Sequence, residues 1–340
     1  MSSPRVRFEP LDLPLRDPFG ISRRTTTVAR NVLVRVEWEG LEGLGECAPN
    51  AYYGESQETV LAWLPRLADV VPDNPLAIRR VATALERTAG ANPAARTGLE
   101  LALWDLLGKL HGAPIWRIWG LAGPVPGSSF TIGIDTPARM AEKARAAAEF
   151  PLLKVKVGTP HDEANLSAIR EARPDATIRV DANGAWSAKE ALARLSGLEE
   201  YDLELIEQPV EAGDLEGLAL VASRTSLPVY ADEGCVTARD VPNVGGRCDG
   251  VVVKLQKCGG LLGALEQVHT ARAHGLKVML GCMVESGLGI SAAAQIATLA
   301  DTLDLDGNLL LTTDPFNGVA AHHGQLELPA GPGLGAALKT

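Results

Sequence analysis

The chain has 340 residues, and at roughly 100–200 residues per domain this length predicts two domains or one large barrel with an appendage. It carries 32 basic and 42 acidic residues, for a formal net charge of −10, which argues against nucleic acid as a partner. Hydrophobic residues make up 46% and charged residues 22%, which excludes a largely disordered chain. The N-terminus has no apolar signal region, and no run of about 18 apolar residues occurs. We therefore expect a cytoplasmic protein without a membrane anchor.

The composition also indicates an architecture. Aromatic residues make up only 4%, while the chain holds 35 glycines and 22 prolines. A core of Ala, Leu and Val joined by glycine-containing turns is typical of a repetitive α/β protein. The five cysteines are scattered and include no Cys-x-x-Cys pair, which predicts reduced, mostly buried thiols rather than a disulfide framework.

The first third of the chain predicts an α+β unit. Residues 31–37 alternate apolar and polar side chains, as a half-buried strand does, and residues 44–47 begin a return strand. Three helices follow, the first capped by Ser56, the second over residues 76–87 and the third over residues 93–110. The stretch GLAGPVPG that follows them predicts a linker.

From residue 128 onward the pattern becomes periodic. Short β-prone runs begin near residues 128, 153, 177, 203, 228, 250, 277 and 302. Helical segments separate most of them, and such alternation implies parallel strands. Eight strands at this spacing match a (β/α)₈ barrel better than an open doubly wound sheet. An open sheet would normally carry a glycine-rich phosphate loop after its first strand, and none is there.

Five of these strands end in charged residues: Lys156, Asp181, Glu207, Asp232 and Lys254. Barrel enzymes place their catalytic groups at this end of the strands. Three neighbouring carboxylates would repel one another strongly, but a divalent cation between them would relieve the repulsion. Ligands that are all oxygen favour Mg²⁺ or Mn²⁺ over zinc. The alternative is that each carboxylate is a helix cap or a surface charge, which three equivalent positions make improbable.

The lysines predict proton transfer. Lys154 and Lys156 are two residues apart, so both lie on one face of their strand. Each ammonium disfavours a charge on the other, so we expect the pKa of Lys156 to fall toward working pH, as a general base requires. Lys254 ends a strand about halfway round the barrel, which places the two bases on opposite faces of a bound carbon. The alternative role for these lysines is as counter-ions. Lys257, past the strand end, is interpreted as a loop charge.

Taken together, the motifs resemble the enolase superfamily, in its muconate lactonizing enzyme-like subgroup. They are ALWDLLGK at Ala102, K-x-K at Lys154, D-x-N at Asp181, E-Q-P at Glu207, A-D-E around Asp232 and K-x-x-K-x-G-G at Lys254. The resemblance implies an α/β fold, a modified TIM barrel (β/α)₇β over residues 124–315. It also implies an α+β N-terminal capping domain over residues 1–123, and a C-terminal segment, residues 316–340, that packs back on the capping domain.

The resemblance also implies roles for the charged strand ends. Asp181, Glu207 and Asp232 would ligate one Mg²⁺ per subunit, with Mn²⁺ as a substitute. Lys156 and Lys254 would be the acid/base pair. Members of the subgroup commonly assemble, so we expect a homo-oligomer.

Two features narrow the substrate. The eighth strand carries Asp304 and Asp306, which alternation places on the same inward face. Two further anions favour a cationic substrate group, such as a free α-ammonium. This pair and the segment LGCMVES on the seventh strand resemble the dipeptide epimerases of the subgroup. The alternative for the two acids is a capped turn before Gly307.

The segment DPFGISRRTTT resembles a flexible loop of the Ala-Glu epimerases in this family. The resemblance implies that Arg24 pairs with the side-chain carboxylate of a C-terminal Glu in the substrate. Arg23 could substitute for it, and both could instead be solvated loop charges. The same family implies that Thr131 and Lys154 bind a substrate carboxylate. Cys282 would form a pocket wall, because no base beside it would make it a nucleophile.

The sequence therefore predicts a Mg²⁺-dependent isomerase that epimerises L,L-dipeptides such as L-Ala-L-Glu to L,D-dipeptides. Two lysines would transfer the proton through a metal-stabilised ene-diolate. One alternative on the same fold is an N-acylamino acid racemase or o-succinylbenzoate synthase, whose substrate lacks the ammonium. Another is a muconate-type cycloisomerase, whose dicarboxylate the paired acids would repel. A non-catalytic metal- or ligand-binding barrel is the alternative from a different class.

Overall fold

A computed structural model describes residues 3–319 and 321–339 of the chain. Its first three strands form an antiparallel sheet in the order β1–β2–β3. They are β1 (Arg5–Ile21), β2 (Arg24–Trp38) and β3 (Leu41–Cys47). The sequence pattern identifies the centre of β2 and the end of β3 but misses the whole of β1. Prolines interrupt the β1 pattern, and the sheet tolerates them because β1 is an edge strand whose register shifts between Pro14 and Phe19.

The helices of the first domain pack on this sheet. They are α1 (Gln57–Ala68), α2 (Ile78–Thr88), α3 (Pro93–His111) and the short α4 (Ile115–Ile118), with a 3₁₀ turn at Ala51–Tyr53. The predicted cap of α1 is present: the Ser56 hydroxyl accepts the Thr59 N–H, and the Thr59 hydroxyl accepts the Ser56 N–H. The long helix α3 lies directly against β3. The three predicted helices are thus confirmed, and the predicted bounds of α2 and α3 agree with the structure within two residues.

The rest of the chain forms the predicted barrel. Its parallel strands follow one another in chain order around an eight-stranded sheet. They are β4 (Phe130–Ile132), β5 (Leu152–Lys156), β6 (Thr177–Asp181), β7 (Leu203–Glu207), β8 (Val229–Ala231), β9 (Gly250–Val253), β10 (Lys277–Gly281) and β11 (Thr302–Asp304). A parallel bridge between Ser128 and Leu303 joins the two edges, so the sheet is nearly closed. The modified barrel with an α+β first domain is confirmed.

Helices cover the outside of the barrel. They are α5 (Pro137–Ala146), α6 (Asp162–Ala172), α7 (Ala188–Leu198), α8 (Leu215–Arg224), α9 (Val241–Val244), α10 (Leu255–Cys258), α11 (Leu261–Ala273) and α12 (Gly287–Ala294), with 3₁₀ turns at Glu199–Tyr201, Ala297–Leu299 and Gly307–Leu310. Within the described ranges, no helix is long and apolar enough to cross a membrane. The five cysteines are free, and four of them are buried.

The C-terminal segment returns to the first domain. It holds two short antiparallel pairs, formed by β12 (Phe316–Asn317) with β15 (Ala337–Leu338) and by β13 (Ala321–His322) with β14 (Gln325–Leu326). The buried carboxylate of Asp105, on α3, accepts the Leu334 N–H at 2.8 Å and the Leu44 N–H at 2.8 Å. One side chain of the ALWDLLGK motif therefore ties α3 to β3 and to the C-terminal segment.

A second carboxylate ties the first domain to the barrel. Glu46, on β3, is fully buried and accepts hydrogen bonds from Asn31, from the hydroxyl and N–H of Ser286, and from the Gly289 N–H. These N–H groups begin α12, where a carboxylate is favoured by the helix dipole. Glu46 thus fixes the loop between β10 and α12, which carries Cys282.

The close approach of β3 to α3 gives a test of the packing. A Cβ on Gly45 would overlap the Gly98 carbonyl oxygen and lie 2.7 Å from the Ala102 nitrogen. Because backbone atoms of a buried helix cannot yield, we expect Gly45→Ala to lower the free energy of unfolding by about 3 kcal/mol. Urea denaturation measures this change. Gly213→Ala, with nothing within 4 Å of the new methyl group, is the control, and equal stability of both variants would contradict the packing.

Candidate active site

The carboxyl ends of the barrel strands face a cavity of about 530 Å³ beneath the first domain. The candidate residues that line it are Arg24, Thr131, Lys154, Lys156, Asp232, Lys254, Cys282, Asp304 and Asp306. The other two candidates, Asp181 and Glu207, are fully buried and contact lysines of the cavity wall. The structure therefore brings all the candidate residues to one place.

The strand register explains this convergence. Lys156 lies beside Asp181 at the ends of β5 and β6, and Asp181 lies beside Glu207 at the ends of β6 and β7. Asp232 and Lys254 come one residue after β8 and β9. Parallel strands of a barrel end at the same rim, so charged residues at equivalent positions must meet there.

Asp181 is held by both lysines of the K-x-K pair. Its Oδ2 atom lies 2.6 Å from Lys156 Nζ and 3.1 Å from Lys154 Nζ, while its Oδ1 atom accepts the Asn183 N–H at 2.8 Å. Burial opposes the charged form, but the two ammonium groups outweigh it and hold the pKa of Asp181 well below its usual range. Asp181 is therefore an anion at neutral pH.

Lys154 lies among three carboxylates. Its Nζ atom is 2.7 Å from Glu207 Oε2, 2.8 Å from Asp304 Oδ2 and 3.1 Å from Asp181 Oδ2. Burial opposes its charge, but the carboxylates of Asp304, Glu207 and Asp181 raise the pKa of Lys154 well above its ordinary value. Lys154 is thus a permanent cation, suited to hold charge rather than to remove a proton.

Glu207 is the exception in this network. Both of its carboxylate oxygens are buried and accept no hydrogen bond; Lys154 Nζ is close to Oε2 but not in the direction of a hydrogen bond. Burial, followed by the neighbouring charge of Asp181, raises the pKa of Glu207 well above its ordinary value. A buried carboxylate without donors is costly unless a cation binds it.

The donor chemistry fits a divalent metal ion. Asp181, Glu207 and Asp232 offer only oxygen, which suits Mg²⁺, and neither oxygen of Glu207 accepts a hydrogen bond. In the described part of the chain the carboxylates are not drawn into a compact cage, because the Lys154 ammonium lies between Glu207 and Asp181. Metal binding would therefore involve a shift of this ammonium.

Asp232 is held by two lysines, not one. Lys254 Nζ lies 2.7 Å from Oδ2, and Lys257 Nζ lies 2.6 Å from Oδ1. Burial opposes ionisation of Asp232, but both lysines outweigh it and hold its pKa well below the usual range. The interpretation of Lys257 as a loop charge is wrong: the side chain is completely buried. The short helix α10 turns it back under the site, which its position past the strand end does not reveal.

Both acids of the predicted eighth strand line the cavity, but only Asp304 lies in β11; Asp306 follows the strand end and directly precedes the 3₁₀ turn at Gly307–Leu310. Asp304 accepts hydrogen bonds from Ser129 Oγ at 2.7 Å and from Lys154 Nζ at 2.8 Å. Asp306 accepts the Thr131 N–H at 2.6 Å. Burial and the nearby charge of Asp304 raise the pKa of Asp306 to about 7. The site therefore has an anionic wall, part of which titrates near neutral pH.

The adjacent arginines of the first domain have different surroundings. Arg23 donates to the Asn183 carbonyl oxygen and, at 2.6 Å, to Glu233 Oε1, and it stacks on the Tyr52 ring at 4.3 Å. Arg24 lines the cavity and, among the described residues, forms no ion pair. Its pKa is lowered by burial and by the charge of Arg23. Arg24 is thus the arginine that is free to meet a ligand.

Sequence reasoning assigned no role to Ser129, Asn183, Glu233 and Tyr52, which the geometry brings into the site, and it misassigned Lys257. Asn183, Glu233 and Lys257 lie inside the quoted motifs, so their positions gave a signal. Ser129 is two residues before Thr131, and strand alternation could have found it. Tyr52 carries no signal in the sequence. Cys282 donates to the Asp304 carbonyl oxygen at 3.3 Å, and burial with nearby carboxylates raises its pKa well above the ordinary value.

Comparison with known proteins agrees with this geometry. Residues 6–120 match the family model of the mandelate racemase / muconate lactonizing enzyme N-terminal domain, and residues 138–340 match the enolase C-terminal domain-like model. The chain therefore belongs to the mandelate racemase/muconate lactonizing enzyme family of the enolase superfamily. The predicted superfamily is confirmed.

Individual relatives define the enzyme class. The chain is 37% identical over 334 residues to L-Ala-D/L-Glu epimerase of Bacteroides thetaiotaomicron, covering 97% of this chain and 87% of that protein. It is 34% identical to a dipeptide epimerase of Enterococcus faecalis solved with Mg and the dipeptide L-Leu-L-Tyr, with a TM-score of 0.93 over 99% of each chain. N-succinyl Arg/Lys racemase of Bacillus cereus is 29% identical, with a TM-score of 0.92 over 99% of this chain and 95% of that one. The chain is an enzyme of the isomerase class, as predicted.

The orphaned carboxylate gives a test that does not depend on activity. Glu207→Gln removes a buried charge without losing a hydrogen bond, and Lys154 keeps the carboxylates of Asp181 and Asp304 as partners, so we expect the melting temperature without metal to stay equal or rise. Excess Mg²⁺ should raise the melting temperature of the wild type but not that of Glu207→Gln. Glu204→Gln, on the same strand but paired with Arg179, is the control. Equal stabilisation of Glu207→Gln and wild type by Mg²⁺ would exclude Glu207 as a ligand.

Proposed function

We propose that this enzyme epimerises dipeptides, converting L,L-dipeptides such as L-Ala-L-Glu to L,D-dipeptides by proton transfer between Lys156 and Lys254. One observation carries the proposal. The two lysines line the same cavity from strands β5 and β9, which are four positions apart in an eight-stranded barrel. They therefore approach a bound α-carbon from opposite sides, which inversion of a stereocentre requires.

Each lysine has a carboxylate beside it. Lys156 Nζ lies 2.6 Å from Asp181, and Lys254 Nζ lies 2.7 Å from Asp232. In one direction a neutral lysine removes the α-proton and the opposite ammonium delivers a proton; in the reverse direction the roles exchange. Burial opposes the charge of Lys254, but Asp232 raises its pKa above the ordinary value, which favours the proton-donating form.

Asp181, Glu207 and Asp232 would hold Mg²⁺, which when bound would polarise the substrate carboxylate and stabilise the charge that develops as the proton leaves. The residues of the chain then divide the remaining tasks. Lys154, a permanent cation beside these acids, would hold an oxygen of the same carboxylate. Thr131, which also lines the cavity, would join Lys154 in binding this substrate carboxylate.

Asp304 and Asp306 would recognise the substrate ammonium. Both line the cavity, and neither has a cationic partner beyond Lys154 within the described contacts. This wall disfavours the N-acylamino acid racemase alternative, because an acylated amine carries no positive charge. The similarity to N-succinyl Arg/Lys racemase keeps that alternative testable with acylated substrates.

Arg24 would select the second residue of the dipeptide. Arg23 is already paired with Glu233, so Arg24 remains to form a two-point contact with an acidic side chain. The relatives named above include both an Ala-Glu enzyme and one bound to L-Leu-L-Tyr, so acidic specificity rests on Arg24. Mn²⁺ as a substitute metal, assembly into a homo-oligomer and a cytoplasmic location stay predictions.

The lysine pair gives the central test of the function. L,L-dipeptides incubated with the enzyme in deuterated buffer should take up one α-deuterium, detected by mass spectrometry, as the L,D-epimer forms. We expect Lys156→Ala and Lys254→Ala each to reduce epimerisation by at least about 10³-fold, because each removes one of two required groups. Each variant should retain α-proton exchange of only one epimer. Full epimerase activity in either variant would contradict the mechanism.

The proposed contact between Asp306 and the substrate ammonium should depend on pH. Asp306 has a pKa of about 7, so it is neutral below that pH and anionic above it. We expect KM for a free dipeptide to fall as pH rises through 7, until the substrate ammonium itself loses its proton near pH 8. Asp306→Asn should raise KM and remove this pH dependence. A pH-dependent KM in Asp306→Asn equal to that of wild type would refute the contact.

The substrate preference of a variant tests whether Arg24 selects acidic side chains. Arg24→Met should raise KM for L-Ala-L-Glu by about 10–100-fold, since a charged hydrogen-bonded pair contributes about 1.5–3 kcal/mol, and leave L-Ala-L-Ala nearly unchanged. Arg30→Met is the matched control, because Arg30 lines the same cavity but lies near Glu58. An equal loss on both dipeptides would show that Arg24 does not select acidic side chains.

A further inference from the structure

We propose that Lys257 is a positioning residue that fixes the rotamer and the loop of Asp232, the third ligand of the proposed metal site. The inference rests on the proposed function, because it assumes that Asp232 binds a metal ion. Lys257 itself does not line the cavity and cannot touch substrate. Its role would be exerted entirely through Asp232.

The ammonium of Lys257 is saturated with acceptors. Nζ lies 2.6 Å from Asp232 Oδ1, 2.7 Å from the Asp232 carbonyl oxygen, 2.8 Å from the Val252 carbonyl oxygen and 3.1 Å from the Cys235 carbonyl oxygen. An ammonium has three N–H donors, so none is left for another partner. The side chain of Lys257 is therefore held in one position by its hydrogen bonds.

The spacing of the K-x-x-K motif explains why two lysines meet one carboxylate. Lys254 precedes α10, and Lys257 is one helical turn further, so the two ammonium groups return to the same side. Lys254 takes Oδ2 of Asp232 and Lys257 takes Oδ1. The second oxygen is thus occupied by a group outside the cavity, which leaves Oδ2 as the oxygen directed to the site.

The glycine pair of the motif makes this turn possible. Gly259 and Gly260 have φ of +86° and +116°, a region that favours glycine. A Cβ on Gly260 would also overlap the Glu100 carboxylate, which accepts the first N–H groups of α11 from Leu261 and Leu262. The chain therefore turns sharply after Lys257, which keeps this side chain beneath β8.

Other side chains hold the same loop from its opposite side. Gln208 Oε1 accepts the N–H groups of Asp232 at 2.9 Å and Gly234 at 3.0 Å. Gln267 donates to the Cys235 carbonyl oxygen at 3.0 Å. The loop after β8 is thus bonded through both its N–H groups and its carbonyl groups, and Lys257 supplies the only positive charge among these three clamping side chains.

Outer groups of this kind influence metal affinity. Loss of a residue that orients a metal ligand typically costs 10–100-fold in affinity. Without Lys257, Asp232 could rotate, and Lys254 alone would have to neutralise it. We therefore expect weaker Mg²⁺ binding even though Lys257 makes no contact with the metal.

The test is calorimetric titration of Mg²⁺ into wild type and Lys257→Met in the absence of substrate. We expect the Kd of Lys257→Met to be at least about tenfold higher than that of wild type. Lys109→Met is the matched control, because Lys109 also bonds a buried carboxylate, Asp105, at 2.7 Å, but far along the chain from the site. It should lose stability and keep the wild-type Kd.

The outcomes separate this inference from the proposed function. A wild type that does not bind Mg²⁺ would overturn the proposed function as well. Wild-type affinity in folded Lys257→Met would overturn only the positioning role. If Lys257→Met does not fold, Lys257→Gln retains a donor for the carbonyl groups without the charge, and the same weakening is expected. Failure of both variants to fold would assign Lys257 to folding and would also overturn the inference.

At saturating Mg²⁺ a further readout distinguishes positioning from catalysis. Lys257→Met should still exchange the α-protons of both dipeptide epimers in deuterated buffer, because both candidate bases remain. Exchange confined to one epimer would instead make Lys257 part of the proton-transfer pair and contradict its role as a positioning residue.

Discussion

Charge compensation among buried side chains is the constraint on which this site depends. Ionised carboxylates at the barrel rim are tolerated only where cations and hydrogen bonds repay their lost hydration. Asp181, Asp232 and Asp304 each meet at least one lysine ammonium within 2.8 Å. Glu207 also lies 2.7 Å from the Lys154 ammonium, but of these four acids it alone accepts no hydrogen bond, and this is where a metal ion is proposed. The absence of hydrogen bonds to Glu207, rather than the number of acids at the rim, identifies the position of the proposed metal ion.

The fold supplies this arrangement through the strand register and closes it from above with the first domain. Equivalent ends of β5, β6 and β7 place Lys156, Asp181 and Glu207 in a row. The turn between β1 and β2 then extends over the rim. There Arg23 donates to Asn183 and Glu233, which lie in the loops that follow the proposed metal ligands Asp181 and Asp232. Neither domain alone would enclose the cavity, because its lining comes from both.

The sequence predicts the strands of the barrel better than it predicts the contacts of the charged side chains. Strand ends such as Asp181 and Lys254 could be located because the spacing of β-prone runs is regular and five of the eight runs end in a charged residue. β1 was missed, because its prolines hide an edge strand. Lys257 was misassigned, because distance past a strand end says nothing about a helical turn that reverses direction. The pairing of Arg23 with Glu233 likewise depends on contacts between domains, which no local pattern encodes.

The residues proposed for catalysis and the residue proposed for substrate selection lie in different parts of the structure. The lysines and carboxylates stand on buried strands, whose neighbours hold their positions, so a change there disturbs the charge network. Arg24 begins β2 directly after a two-residue turn and bonds none of the rim acids within the described contacts. It can therefore be exchanged without disturbing that network. In the proposed function, the barrel therefore fixes the reaction and the turn of the first domain fixes the substrate.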